Sequence, residues 1–140
     1  MTTLRSILLV EDNPDDERLT LRALARGNLT NPVVVARNGE EALQQVLHVP
    51  TLPCVVLLDL KLPKVDGLEV LRQIRTSDRT HLLPVVILTS SSEDRDIIES
   101  YNLGANSYVR KPVNIDEFTE AVRQLGLYWA LISELPSTLP

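Results

Sequence analysis

The chain has 140 residues, 44% of them hydrophobic and 24% charged, with a formal net charge of −5. That is enough apolar material for one core at the usual one to two hundred residues per domain, which argues against a multidomain enzyme and against a disordered chain. The acidic excess speaks against a broad nucleic-acid footprint, and no apolar stretch approaches the roughly eighteen residues of a membrane span. One cysteine, Cys54, leaves no internal disulfide, and His48 and His81 have no zinc-ligand spacing. With no signal-peptide pattern in MTTLRSILLVED, a cytoplasmic location is expected.

Short, unalternating apolar runs separate amphipathic stretches. The first run, Ile7–Val10, leads to Asn13-Pro14, a helix cap and first-turn proline, with Asp15, Asp16 and Glu17 where the helix dipole favours negative charge. That helix is expected to bury Leu19 and Ala23 and to stop near Gly27-Asn28. Val33–Ala36 is the second run. Asn38 caps the helix after it, with Glu41 three residues on and Ala42, Leu43, Val46 and Leu47 on one face. After Val55–Leu58 comes a helix from about Val65 to Thr76, with Leu68, Leu71 and Ile74 inward. After Val85–Leu88, Ser92 starts a helix through Ile97, Ile98 and Tyr101 to a stop at Gly104. Ser107–Val109 is a weaker run, and Ile115, Phe118, Val122, Leu125, Trp129 and Ile132 form one stripe at helical steps, which Gly126 interrupts.

Five strand–helix units, with strands read as buried on both faces, mean an α/β fold: a doubly wound, five-stranded parallel sheet with five helices. One domain is expected over residues 1–140, its core at about 5–124 and a C-terminal extension at 125–140.

In such sheets the functional crevice lies at the carboxyl ends of the strands. Glu11 and Asp12 follow the first run, Asp59 the third, Thr89 and Ser90 the fourth, and Lys111-Pro112 the fifth. Taken singly, each has a plain reading as a turn, a cap or a solvated surface residue. Together they make a chemical set. Three carboxylates about 5 Å apart repel by roughly 3 kcal/mol per pair at an effective dielectric near 20, so a positive partner is required. A hard divalent cation fits the oxygen donors, and a lysine and a hydroxyl can bind further anionic oxygens. That is the equipment for forming an aspartyl phosphate.

The segments Ile7-Leu8-Leu9-Val10-Glu11-Asp12-Asn13, Leu57-Leu58-Asp59-Leu60-Lys61-Leu62-Pro63 with Asp66-Gly67, Ile87-Leu88-Thr89-Ser90-Ser91 and Tyr108-Val109-Arg110-Lys111-Pro112 occur in this order. From about Arg5 to Gln124 the chain resembles the receiver domain of two-component response regulators, the CheY-like fold. The resemblance implies a flavodoxin-like sheet of order 2-1-3-4-5. It implies that Asp59 accepts a phosphoryl group from a sensor histidine kinase, with Mg²⁺ (or Mn²⁺) held by Asp12, by Glu11 mainly through water, by Asp59 and by the backbone carbonyl of Lys61. Thr89 would swing its hydroxyl to the phosphoryl group, Lys111 would pair with it, Tyr108 would turn inward, and the Lys111-Pro112 bond would be cis. The readout surface would be the fourth helix, fifth strand and fifth helix.

About sixteen residues follow Gln124, so a stand-alone receiver is expected, signalling to a downstream protein or passing its phosphoryl group to a phosphotransfer partner. The Gly27–Pro32 loop, the run after Asp59 and Leu127-Tyr128-Trp129 are similar to receivers paired with phytochrome kinases, which suggests a bacteriophytochrome as the kinase and a homodimer through Tyr128, Trp129 and Leu131. Trp129 reads equally as the end of the intramolecular stripe. Lys61, two residues after the phosphoacceptor, and Ser90, next to Thr89, leave the phosphorylated lifetime open. Three alternatives compete. A flavodoxin would not present Glu11-Asp12 to a phosphate. An aspartyl-phosphate hydrolase wants an acid where Lys61 stands. A pseudo-receiver, an interaction module that is never phosphorylated, keeps the fold without the chemistry.

Overall fold

Five parallel strands lie in the order β2-β1-β3-β4-β5: β1 (Ile7–Val10), β2 (Val33–Ala36), β3 (Val55–Asp59), β4 (Val85–Thr89) and β5 (Ser107–Arg110). The computed structural model describes residues 5–26, 31–89 and 99–124, and for residues 89, 119 and 121–124 the backbone alone. The helices are α1 (Pro14–Arg26), α2 (Gly39–Leu47), α3 (Gly67–Thr76) and α5 (Ile115–Gln124), with α4 described at its last turn, residues 99–102. This is the doubly wound, flavodoxin-like arrangement the sequence implies.

Alternate residues of the central strands enter two separate cores, because successive side chains on a strand point to opposite faces. Ile7, Leu9, Val55, Leu57, Val86 and Leu88 pack with Ala23 and Leu24 of α1 and Phe118 of α5. Leu8, Val10, Val56, Leu58, Val85 and Ile87 pack with Ala42 and Val46 of α2 and Val70, Leu71 and Ile74 of α3. Every residue of β1 and β3 is buried.

The local signals work through identifiable bonds. Asn13 Oδ1 accepts the N–H groups of Asp15 (2.9 Å) and Asp16 (3.1 Å) at the start of α1. Asn38 Oδ1 accepts the Glu41 N–H (2.9 Å), while the Glu41 carboxylate receives the Asn38 amide (2.9 Å), a reciprocal cap. Gly104, at φ 100°, ends α4. Its N–H reaches Tyr101 O (3.0 Å) and that of Ala105 reaches Ser100 O (2.9 Å), the paired bonds of a Schellman stop.

Four expectations are corrected. β2 and β5 are edge strands and not buried on both faces: Val34 and Tyr108 are each 37% exposed, because pairing on one side only leaves the outer flank uncovered. Leu19 is 41% exposed; the helix turns Thr20, Ala23 and Leu24 inward instead. α3 begins at Gly67, not Val65, because Lys64 adopts a left-handed φ of 66° and Asp66 is the extended N-cap. β3, β4 and β5 each run one residue further than their apolar runs, taking in Asp59, Thr89 and Arg110. Gly27-Asn28, Ser92, Ile97, Ile98, Gly126 and the dimer candidates Tyr128, Trp129 and Leu131 lie outside the described residues, as does the extension 125–140.

Candidate active site at the strand ends

The register sets the rim. Val10 lies opposite Leu58, so Glu11 comes level with Asp59. Thr89 lies opposite Arg110, which puts Lys111 immediately beyond the next strand pair. The Glu11 N–H continues the sheet ladder to Ala36 O (2.9 Å), which holds its side chain beneath the rim at 0% exposure. Asp59 is buried and Asp12 exposed.

The Lys111 side chain, 8% exposed, crosses under these acids. Its Nζ donates to Asp59 Oδ2 (2.9 Å) and to Asp16 Oδ2 (3.2 Å). Nζ also lies 2.6 Å from Glu11 Oε1, an ion-pair contact off the line of a hydrogen bond, so that buried oxygen keeps unused acceptor capacity. Glu11 Oε2 accepts the Asn13 N–H (3.3 Å), and Asp59 Oδ1 accepts the Lys61 N–H (3.2 Å). The Lys61 side chain is exposed. The Lys111–Pro112 peptide bond is cis.

Electrostatics follow from this placement. Burial raises Glu11 from 4.5 to about 7, with Lys111 pulling down and Asp59 pushing up. Burial works against the charge on Lys111, but its ties to Glu11 and Asp59 outweigh that and hold its pKa above the ordinary lysine value. A buried ammonium among carboxylates stays ionised.

Glu11, Asp12 and Asp59 each offer a carboxylate oxygen within 4.8 Å of the other two. Three hard oxygen donors, one of them a buried acceptor without a hydrogen bond, fit a small divalent cation better than a soft one. The structure therefore brings together Glu11, Asp12, Asp59 and Lys111. Thr89 is at the adjoining strand end, its side chain outside the described set. Tyr108 stands apart on the flank of β5, 37% exposed, edge-on to Tyr101 with ring centroids 6.1 Å apart.

Asp16 is the residue that sequence reasoning missed as part of the site. Beside Asp15 and Glu17 it reads as one more helix-entry acid. The signal that could have found it is its place in the first turn of α1, which starts just after the Glu11-Asp12 strand end and so stays beside the same rim.

A family model for the response regulator receiver domain matches residues 7–123. The chain is 43% identical over 127 residues to the probable methanogenesis regulatory protein FilR2 of Methanothrix harundinacea (strain 6Ac), a match covering 88% of this chain and 82% of that protein. It is 35% identical over 136 residues to the response regulator Rcp1 of Synechocystis sp. (strain ATCC 27184 / PCC 6803 / Kazusa), over 94% of this chain and 92% of that one. Among solved structures it is similar to the bacteriophytochrome response regulator AtBRR, with TM-score 0.83 and 54% identity over 91% of this chain and 96% of that one. The Mn(2+)-bound form of Rcp1 superposes with TM-score 0.74 at 33% identity, over 95% of this chain and 99% of that one. A family match spanning the whole sheet, on strand ends where acids converge on one buried lysine, leads to one assignment: the chain belongs to the response regulator receiver domain family.

Proposed function

We propose that the protein is a phosphorylation-switched signalling protein in which Asp59 accepts a phosphoryl group from a sensor histidine kinase in the presence of Mg²⁺ or Mn²⁺. The observation that carries this is the Lys111 ammonium lying 2.9 Å from Asp59 and 2.6 Å from Glu11, with Asp12 beside them. The divalent cation, when bound by Glu11, Asp12, Asp59 and the Lys61 carbonyl, screens the negative charge of the incoming group. An Asp59 carboxylate oxygen forms the new O–P bond as the P–N bond to the donor imidazole breaks, its electron pair leaving with the imidazole. Lys111 pairs with a phosphoryl oxygen, and Thr89 supplies a hydroxyl donor from the next strand end.

Differential contacts of these two residues bias the switch. The output side is the flank of α4, β5 and α5. There an open groove of about 570 Å³ is lined by Tyr108, Arg110, Asp116, Glu117 and Glu120, which suits a protein partner with basic groups. The relatives named for bacteriophytochromes support a phytochrome kinase as the donor. In this reading the protein's chemistry is on itself, taking up a phosphoryl group and losing it to water or to a phosphotransfer partner. Among the described residues no helix is long and apolar enough to cross a membrane.

Intact mass after incubation with acetyl phosphate tests the reading. One phosphoryl mass is expected in wild type with Mg²⁺, and none with a chelator or in Asp59→Asn. An unmodified, folded wild type under all conditions overturns the phosphoacceptor role and leaves the interaction module in its place.

A further inference from the structure

Lys111 has one more anionic partner than the phosphoryl chemistry requires. An ammonium carries three N–H donors. Here two point to Asp59 Oδ2 and Asp16 Oδ2, and the remaining side of the nitrogen is against Glu11 Oε1. An incoming phosphoryl oxygen therefore meets a lysine with two of its donors engaged and its third side pressed against a carboxylate. Of the three carboxylates, Asp59 would become the acyl phosphate and Glu11 belongs to the cation cluster. Asp16 alone remains a full carboxylate with no other role, and it still competes for Nζ after transfer.

It is well placed to do so. α1 fixes its backbone, since the Asp16 N–H is held by Asn13 Oδ1 (3.1 Å) at the helix cap. Its side chain is 35% exposed while the lysine end of the pair is 8% exposed, so solvent screens the pair only in part. Neighbouring Asp15 faces away and pairs with Arg18 at 2.8 Å on the open surface. Of two adjacent acids on the same helical turn, only Asp16 contacts Lys111, while Asp15 is tied to Arg18 in solvent.

We propose that Asp16 is a positioning residue that shares the Lys111 ammonium with Asp59 and thereby restrains its transfer to a phosphoryl oxygen, a brake on loading built into the first turn of α1. This rests on the phosphoacceptor reading. It has two consequences of opposite sign. Removing the Asp16 charge frees one donor of Lys111 and takes one negative charge from the path of an anionic group, so phosphorylation speeds up. The same change leaves Lys111 neutralised by Glu11 and Asp59 alone, so a cation competes with it less well and Mg²⁺ binds more weakly.

The test compares wild type, Asp16→Asn and Asp15→Asn, which loses the same charge on the same helical turn without touching Lys111. With acetyl phosphate at saturating Mg²⁺, the Asp59 modification rate followed by intact mass is expected to rise about three- to fivefold in Asp16→Asn and to stay near wild type in Asp15→Asn. Calorimetric titration with Mg²⁺ alone is expected to show about threefold weaker binding in Asp16→Asn only. A loss of fold would slow phosphorylation and weaken metal binding together; the opposite signs separate the brake from a merely structural role. An Asp16→Asn rate at or below that of Asp15→Asn overturns the proposal. If wild type takes no phosphoryl group, the phosphoacceptor reading fails by itself. The Mg²⁺ titration then decides whether Asp16 governs Lys111, equal affinities of the two variants overturning it.

Discussion

Lys111 and Glu11 set the pH behaviour of the site. In metal-free protein Glu11 sits at about 7 instead of 4.5, chiefly through burial. A carboxyl whose folded pKa exceeds its unfolded value holds its proton more tightly when folded. Its contribution is complete below the unfolded value and is lost as pH rises through the folded one. With a chelator present, stability is therefore expected to fall between about pH 4.5 and 7, by on the order of 3 kcal/mol from this group at ~1.4 kcal/mol per pH unit. Urea midpoints at pH 5 and pH 7.5 measure it, and Glu11→Gln should flatten the difference. Lys111→Met removes the charge that Glu11 and Asp59 face, and stranding a buried carboxylate costs about 3–5 kcal/mol. The loss should be larger at pH 8 than at pH 5, where Glu11 can take up a proton, and Mg²⁺ should recover part of it. Glu11, Asp12, Asp59 and Lys111 were legible in the sequence because each stands within two residues of the end of an apolar run. Asp16 was not, because a string of three acids at a helix start has an ordinary electrostatic explanation that hides which of them turns inward.

Between elements, two contacts fix how α3 meets the sheet. At Gly67 a Cβ would come within 2.4 Å of Asp59 O and 2.6 Å of Leu60 Cα, and both are backbone atoms that cannot swing aside. Gly67→Ala is expected to push α3 off the end of β3, at a cost of about 1–3 kcal/mol in denaturant titration, and, on the phosphoacceptor reading, to slow Asp59 modification because the clash falls on the backbone of Asp59 itself. At the far end, Arg75 donates to Gly104 O (2.8 Å), Leu83 O (2.7 Å) and Asn106 Oδ1 (2.8 Å), joining α3 to the turn after α4 and to the start of β4. Arg75→Ala should cost about 2–3 kcal/mol by leaving these acceptors without their charged donor. Arg75→Lys should recover little, since one ammonium cannot span acceptors that a planar guanidinium reaches in a fork. The caps at Asn13 and Asn38 and the stop at Gly104 were readable because capping chemistry is local. The start of α3 was not: Val65 continues the apolar period, and only the backbone conformations of Lys64 and Asp66 keep the helix from starting there.

Across the molecule, the sheet divides the core into two compartments that share β1, β3 and β4 as a common wall. Amide hydrogen exchange is expected to be slowest in β1 and β3, where every residue is buried, and faster in β2 and β5, whose burial is mixed. Equal protection in all five strands would contradict that ranking. Strand number, the doubly wound class and the rim at the carboxyl ends followed from the alternation of apolar runs and helices. Val33–Ala36 shows the limit. Its composition is as apolar as that of Ile7–Val10, and nothing within four residues tells a strand whether it will have one neighbour or two.

Asp59 ends the strand that lies third of five, clasped on both faces, whereas Tyr108 stands on a border strand with one paired side. The two differ in mechanical compliance. On the phosphoacceptor reading, a new charge at Asp59 would press on a strand held from both sides, so any displacement it causes is expected at the border strand β5, where Tyr108 meets Tyr101 of α4.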